Sequence, residues 1–228
     1  MIGGRFERQL PLFGEEGQEK IMGATVGVAG CGGLGVTLIT LLAEAGVSHY
    51  ILSDPDYPDI TNLNRQFIYT AGDQRPKSQI SAEWITAINP LAEIEVHPEP
   101  FGEGTESMFY PCDIIVDCLD NMESRMKLAD YAYGNGKPLV HGGISGFEGQ
   151  IAVSIPGQTP SLRDMIGTCA GEGEGVPVFG AAVSAIAAME AIETLKIISG
   201  MGTETAGKLV AVDFRSMSMQ TADFSGKR

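Results

Sequence analysis

The run Gly30-Cys31-Gly32-Gly33-Leu34-Gly35 limits what this chain can fold into, because of what stands on either side of it. A G-x-G-x-x-G alone carries little weight in a chain with 30 glycines. Here an apolar, β-type run (Ala24-Thr25-Val26-Gly27-Val28-Ala29) leads in. A helical spacing (Leu34, Leu38, Leu41, Leu42, Ala45) leads out and stops at Gly46. A second strand, His49-Tyr50-Ile51-Leu52, then delivers Asp54. Strand, glycine turn, helix, strand and acid in this order make a βαβ nucleotide site. The glycines at 30, 32, 33 and 35 let backbone approach a phosphate, and the helix N-terminus offers N–H groups and positive dipole. Asp54 falls where a carboxylate can bond a ribose hydroxyl.

The remaining pattern alternates β and α, which predicts a Rossmann-like, doubly wound α/β fold with a mainly parallel sheet. Helices are expected over 77–88, 122–133 and about 178–199. Strands are expected over 93–97, 113–118, 138–140 and 150–154, with two C-terminal strands near 209–212 and 217–220 extending the sheet antiparallel. Residues 156–176 hold several glycines and prolines without periodicity and read as a long functional loop. No linker divides the sequence, so residues 1–228 are taken as one domain.

A formal net charge of −14 argues against a nucleic-acid partner. The N-terminus lacks an apolar leader, and the most apolar later stretch carries Glu190, Glu193 and Lys196. A cytoplasmic protein without a membrane span is therefore expected. The four cysteines form no C-x-x-C pair, so neither structural zinc nor a disulfide framework is expected. Cys31, Cys112 and Cys118 read as small buried hydrophobes.

A dinucleotide cofactor is the ordinary occupant of such a glycine turn, but three features favour a triphosphate. The chain has only 15 Lys and Arg, yet Arg65, Arg75 and Lys77 crowd one short stretch after the ribose position. Asp117-Cys118-Leu119-Asp120-Asn121 puts carboxylates at the C-terminal end of a central strand, where phosphate-bound Mg²⁺ is readily held. No second domain is evident to present a hydride acceptor.

In order and spacing, Arg5-Phe6-Glu7-Arg8-Gln9, the glycine turn, Asp54-Pro55-Asp56, Asn62-Leu63-Asn64-Arg65-Gln66 and Arg75-Pro76-Lys77 resemble the E1-like adenylating enzymes, the ThiF, MoeB and HesA group. So do Asp117-Cys118-Leu119-Asp120-Asn121, Glu148-Gly149-Gln150 and Thr168-Cys169. The resemblance implies ATP with Mg²⁺ and the adenylylation of a substrate carboxylate. It gives Asp54 the ribose, with Asp56 near the phosphates. It gives Asn62, Arg65 and Lys77 the triphosphate, with Gln66 in support. Asp120 would hold the metal, beside Asn121. Arg8 would reach into the partner subunit's site, which implies a homodimer. The small-residue face Gly180, Ala181, Ser184, Ala185 and Ala188 would suit close subunit packing, and equally plain core packing.

The chain departs from that family where its sulfur-carrier activators hold zinc, since no cysteine pair is present. Length, acidity and the missing pairs resemble the member that activates the guanylylpyridinol carboxylate in [Fe]-hydrogenase cofactor assembly. A small-molecule carboxylate is thus the expected acceptor, with the C-terminal glycine of a ubiquitin-like carrier as the alternative. A non-catalytic nucleotide-binding partner is a third reading, opposed by the intact set Arg8, Asp54, Arg65, Lys77 and Asp120. Cys169 aligns with the acyl-capturing cysteine of some relatives, but Glu172 and Glu174 beside it oppose thiolate formation. Both roles stay open, as do structural and substrate-contact roles for His141.

Overall fold

A computed structural model describes residues 4–167 and 177–226. Of the expected loop over 156–176, residues 168–176, with Cys169 among them, fall outside the described residues.

Eight strands form one sheet in the order β3-β2-β1-β4-β5-β6-β7-β8. They are β1 (Thr25–Ala29), β2 (His49–Ser53), β3 (Glu93–His97), β4 (Ile114–Asp117), β5 (Leu139–Ser145), β6 (Glu148–Ser154), β7 (Lys208–Asp213) and β8 (Ser218–Asp223). The first five pair in parallel, and β6, β7 and β8 continue antiparallel. The doubly wound α/β expectation with antiparallel C-terminal strands therefore holds. Strand order reverses between β1 and β4, and β1 pairs Ala29 with Ser53 on one side and with Asp117 on the other. Three strand ends thus finish in one row, and the ligand crevice of an open α/β sheet opens above such a row.

Helices α1 (Leu10–Gly23), α2 (Gly33–Ala45), α3 (Lys77–Ile88) and α6 (Gly180–Ser199) pack together on one face, while α4 (Met122–Gly134) and α5 (Leu162–Ile166) cover the other. Helix α2 is buried nearly all round, with Leu38, Ile39 and Leu42 fully enclosed in the main core and Val36 packed against Tyr69 and Ile80. Each such aliphatic side chain contributes about 1.5–3 kcal/mol of burial. Among the described residues, no helix is long and apolar enough to cross a membrane.

Two elements escaped the periodicity. Helix α1 carries Pro11, Gly14 and Gly17, and Gly14 sits at φ +70 inside it. That kink breaks the 3.6-residue repeat of Phe13, Gly17 and Ile21. Helix α5 lies in the stretch read as loop, although its capping box, Ser161 with Asp164, was written in the sequence. Strand β5 also runs five residues beyond the expected 138–140, because its hairpin with β6 pairs through to Ser145 and Glu148.

Glycine is obligatory at two points of the turn. A Cβ on Gly35 would stand 2.2 Å from the Gly30 carbonyl oxygen, and one on Gly30, whose φ is +97, 2.6 Å from the Cys118 oxygen. Backbone cannot yield as a side chain can. Gly35→Ala is expected to destabilise the fold by about 3 kcal/mol, read as a lower urea midpoint. An unchanged midpoint would refute this close approach.

Candidate active site

The glycine turn, the β2 end and α3 are tied into one rim. The Asp54 carboxylate accepts the Cys31 N–H at 2.6 Å through one oxygen and the Asp56 N–H at 2.8 Å through the other. Burial raises the Asp54 pKa, and those two N–H donors and Lys77 act against that rise. Lys77, only 4% exposed, donates its backbone N–H to the Asp56 carbonyl, and its Nζ stands 3.1 Å from Asp56 Oδ2. The Asp56 side chain itself is exposed. A buried ammonium paired with a solvent-facing carboxylate is a cation that can exchange one anionic partner for another.

The segment 60–66 lies over the helix entrance. The Arg65 side-chain stem would meet a Cβ on Gly33 at 3.2 Å, and Gln66 Nε2 a Cβ on Gly32 at 3.7 Å. The Arg65 guanidinium is held to the Thr61 carbonyl at 3.0 Å and the Asn64 side-chain oxygen at 2.8 Å. Gln66 is buried, and its Oε1 has no partner among the described residues. Asn62 is half-buried in the 3-10 turn Ile60–Asn62, where its carbonyl accepts from Arg65 and Gln66 N–H. Gly30, Gly32, Gly33, Gly35, Asp54, Asp56, Asn62, Arg65, Gln66 and Lys77 therefore belong to one neighbourhood.

Asp120 stands three residues past the end of β4, whose next residue, Cys118, donates its N–H to the Ala29 carbonyl at 2.9 Å. Asp120 is exposed, and Asn121 beside it caps α4 by accepting the Ser124 N–H at 2.8 Å. Among the described residues, no three His, Cys, Asp or Glu cluster in a way that could hold a metal. Cys31, Cys112 and Cys118 are buried free thiols with raised pKa values, that of Cys112 reaching about 12. Burial is the main cause in each, so none is a ready nucleophile.

Arg8 stands apart. It is exposed in the turn before α1 and has no hydrogen-bond or ion-pair partner among the described residues. Its neighbours Arg5 and Gln9 donate to the Ala43 and Ala45 carbonyls at the C-terminal end of α2. Thirteen helical residues separate that end from the glycine turn, roughly 20 Å at 1.5 Å per residue. Arg8 is thus far from the glycine turn of its own subunit.

A buried polar group that sequence reading missed lies beneath the crevice. The Asp117 carboxylate receives Arg125 Nε at 3.0 Å, the His141 ring at 2.8 Å and the Leu119 N–H at 3.1 Å. Burial opposes the ionisation of Asp117, but Arg125 and His141 together bring its pKa below the ordinary value. Burial pushes the His141 pKa down, so the ring is neutral. Arg125 was detectable, because it occupies the apolar stripe Arg125, Leu128, Ala129, Ala132 of α4 at helical spacing.

Glu190 reaches the cluster from α6 through the space that Gly142 leaves open: a Cβ there would stand 2.4 Å from its carboxyl carbon. Burial and then the Asp117 charge raise the Glu190 pKa well above the carboxylate range. A raised carboxyl pKa makes the folded state bind the extra proton, so stability is full below the unfolded pKa and falls as pH rises towards the folded one. Glu190→Gln cannot ionise. Its stability relative to the native chain is expected to grow between pH 5 and pH 8, by up to about 1.4 kcal/mol per pH unit, measured by urea unfolding. A pH-independent difference would contradict a protonated Glu190.

These features define a nucleotide-binding α/β fold of the E1-like adenylation type. The sequence matches the ThiF family over residues 6–228, and the chain belongs to that family. It is 35% identical over 227 residues to a sulfur carrier protein adenylyltransferase of Thermus thermophilus, covering 92% of this chain and 82% of that one. It is 31% identical to the sulfur carrier protein ThiS adenylyltransferase of Escherichia coli, covering 93% and 87%. In fold it resembles E. coli MccB solved with ATP, at TM-score 0.84 and 18% identity over 98% of this chain and 72% of that one. PaaA is comparable, at TM-score 0.84 and 18% identity over 96% and 72%. The chain is an E1-like adenylyltransferase, a class that uses ATP.

Proposed function

We propose that this protein binds ATP with Mg²⁺ in the crevice between β1 and β4 and adenylylates a small-molecule carboxylate, as in the maturation of a guanylylpyridinol-type cofactor. The observation that carries the nucleotide assignment is Lys77: a buried cation beside the glycine turn, paired among the described residues only with an exposed carboxylate. The absence of any cysteine pair supports a departure from the zinc-bearing sulfur-carrier activators. The names of the relatives favour the second reading, a ubiquitin-like carrier protein as acceptor.

The substrate carboxylate attacks the α-phosphorus in line and pyrophosphate leaves, so no protein nucleophile takes part. The chain's own contribution is placement and charge. Asp54 fixes the glycine turn and offers its carboxylate to the ribose. Arg65 and Lys77 neutralise the phosphate oxygens, with Gln66 buried behind them and Asn62 alongside. Asp120 at the strand end would supply the one carboxylate that Mg²⁺ takes alongside phosphate oxygens, with Asn121 capping α4 beside it. If Cys169 takes part at all, its thiol would act only after the adenylate forms, displacing AMP to leave a thioester.

Lys77→Ala and Asp120→Ala are each expected to lower carboxylate-dependent pyrophosphate exchange about a hundredfold, on the order of 3 kcal/mol. Cys169→Ala should leave it nearly unchanged. Guanylylpyridinol carboxylate and a ubiquitin-like carrier tried side by side decide the acceptor. Loss of exchange in Cys169→Ala with retention in Lys77→Ala would reverse these roles. Stoichiometric zinc in the purified protein would remove the argument for a small acceptor.

A homodimer follows from Arg8, which is exposed, unpaired among the described residues and remote from its own glycine turn. Helix α6 supplies an accessible small-residue stretch, Ala181, Ser184, Ala185 and Ala188, whereas Gly180 is already spent on the Asn64 carbonyl of its own chain. If Arg8 serves the opposite site, Arg8→Ala and Lys77→Ala proteins are each inactive. Mixed and re-equilibrated in equal amounts, they should recover about a quarter of native exchange through heterodimers. No recovery, with sedimentation showing that dimers had formed, would place Arg8 in its own subunit's site.

A further inference from the structure

The buried ring of Tyr69 packs against Val36 of α2 and Ile80 of α3, and its hydroxyl stands where the glycine turn meets α3. That hydroxyl lies 2.6 Å from the Cys31 carbonyl oxygen, 3.0 Å from Ser81 Oγ and 3.4 Å from the Lys77 carbonyl oxygen. Burial raises the Tyr69 pKa, so the phenol keeps its proton. One proton serves one acceptor well, and the shortest contact assigns it to Cys31. The Ser81 hydroxyl, also buried, then donates to the tyrosine oxygen.

The bond to Cys31 sets the orientation of one peptide unit in the glycine turn. In a trans peptide the C=O and the following N–H point to opposite sides. With the Cys31 carbonyl turned onto Tyr69, the Gly32 N–H points away from it. Gly32 is half-buried, and its N–H meets no acceptor among the described residues. Sterics alone would not hold this unit, because glycine at 32 lets the peptide rotate. The same hydroxyl is anchored on α3 through Ser81, one helical turn after Lys77. Two further α3 tethers, Ser78 Oγ to the Asp54 carbonyl at 3.0 Å and the Lys77 N–H to that of Asp56, reach the end of β2 and not the turn.

We infer that Tyr69 is a positioning residue for phosphate binding. Its hydroxyl fixes the Cys31–Gly32 peptide and the spacing between the glycine turn and Lys77, so that an N–H and an ammonium face the nucleotide's phosphates together. This rests on the ATP reading and adds to it a residue that is enclosed and acts through the turn and α3. Without the hydroxyl, the aromatic ring still fills its place between the helices. The peptide, however, is free to swing its carbonyl, the negative end of its dipole, towards the phosphates.

The test compares the full-length native protein with Tyr69→Phe, Ser81→Ala and Thr40→Val. Tyr69→Phe deletes one oxygen and keeps the packing, and Ser81→Ala cuts the anchor on α3 while leaving the bond to Cys31. Thr40→Val removes the hydroxyl that accepts Trp84 Nε1 at 2.9 Å, an α2–α3 bond that does not involve the glycine turn, and so controls for a general loosening of α3. Calorimetric titration with ATP and Mg²⁺ is expected to show about tenfold weaker binding in Tyr69→Phe. Ser81→Ala should weaken it less, and Thr40→Val not at all. Adenosine, which carries no phosphate, should be held equally by all four proteins. An equal loss of ATP binding in Thr40→Val, or a loss in Tyr69→Phe that extends to adenosine, would overturn the inference. Native-like ATP binding by both Tyr69→Phe and Ser81→Ala would overturn it alone. No ATP binding by the native protein would overturn the nucleotide assignment as well, so the two failures stay separate.

Discussion

Three backbone segments meet at the crevice with no side chain between them, and the rest of the site depends on that meeting. Gly30 lies under the Cys118 carbonyl, and Gly35 under that of Gly30. Each contact is closer than any Cβ would permit, so the α2 entrance sits directly against the ends of β1 and β4. Parallel pairing of Ala29 with Ser53 and with Asp117 then fixes where Asp54 and Asp120 emerge. The charged groups are placed by strand register and need no long loop to bring them together.

The same economy holds one layer down. Asp117, His141, Arg125 and Glu190 bring four buried ionisable groups together. The cluster remains tolerable because its charges balance: one arginine faces one ionised aspartate, while His141 and Glu190 are neutral. An isolated buried charge would cost several kcal/mol. A paired one costs far less, and the hydrogen bonds to Leu119 and Gln150 occupy further sites on the pair's partners. The polar core is thus continuous with the site above it, and a substitution within it would be felt in the placement of Gln150.

Much of this was legible because it lies in local pattern. Strand β3 falls on the expected 93–97, α3 on 77–88, and the βαβ unit around Gly30 follows from strand, turn and helix signals in sequence. What stayed hidden depends on contacts between distant residues. Helix α1 was obscured by the Gly14 kink, and its stability comes from packing on α6. Glu190 reads as one more charge on a long helix until Gly142, 48 residues earlier, turns out to leave room for it. Asp117 was read for its place at a strand end, yet it serves the core while Asp120, three residues on, faces solvent. That alternation arises because the strand ends at Asp117 and the chain turns outward, which residue type alone does not reveal.

The acidity of the chain explains why its few cations are held as they are. At a net charge of −14, long-range attraction for a polyanionic nucleotide is absent, and the surface opposes its approach. Affinity must come from groups at contact distance, within the Debye length and sheltered from water. Lys77 meets that requirement, since burial keeps its ammonium from being screened while Asp56 holds its place. Asp56 is exposed, so releasing the lysine to a phosphate leaves that carboxylate in water at little cost. Arg65 is steadied by the neutral oxygens of Thr61 and Asn64 and has no carboxylate partner among the described residues. The two cations thus differ in kind. On the proposed reading, Arg65 would present a charge already available to the nucleotide, and Lys77 one that an arriving phosphate would have to claim from Asp56, so a ligand without a phosphate at that point would gain nothing from it.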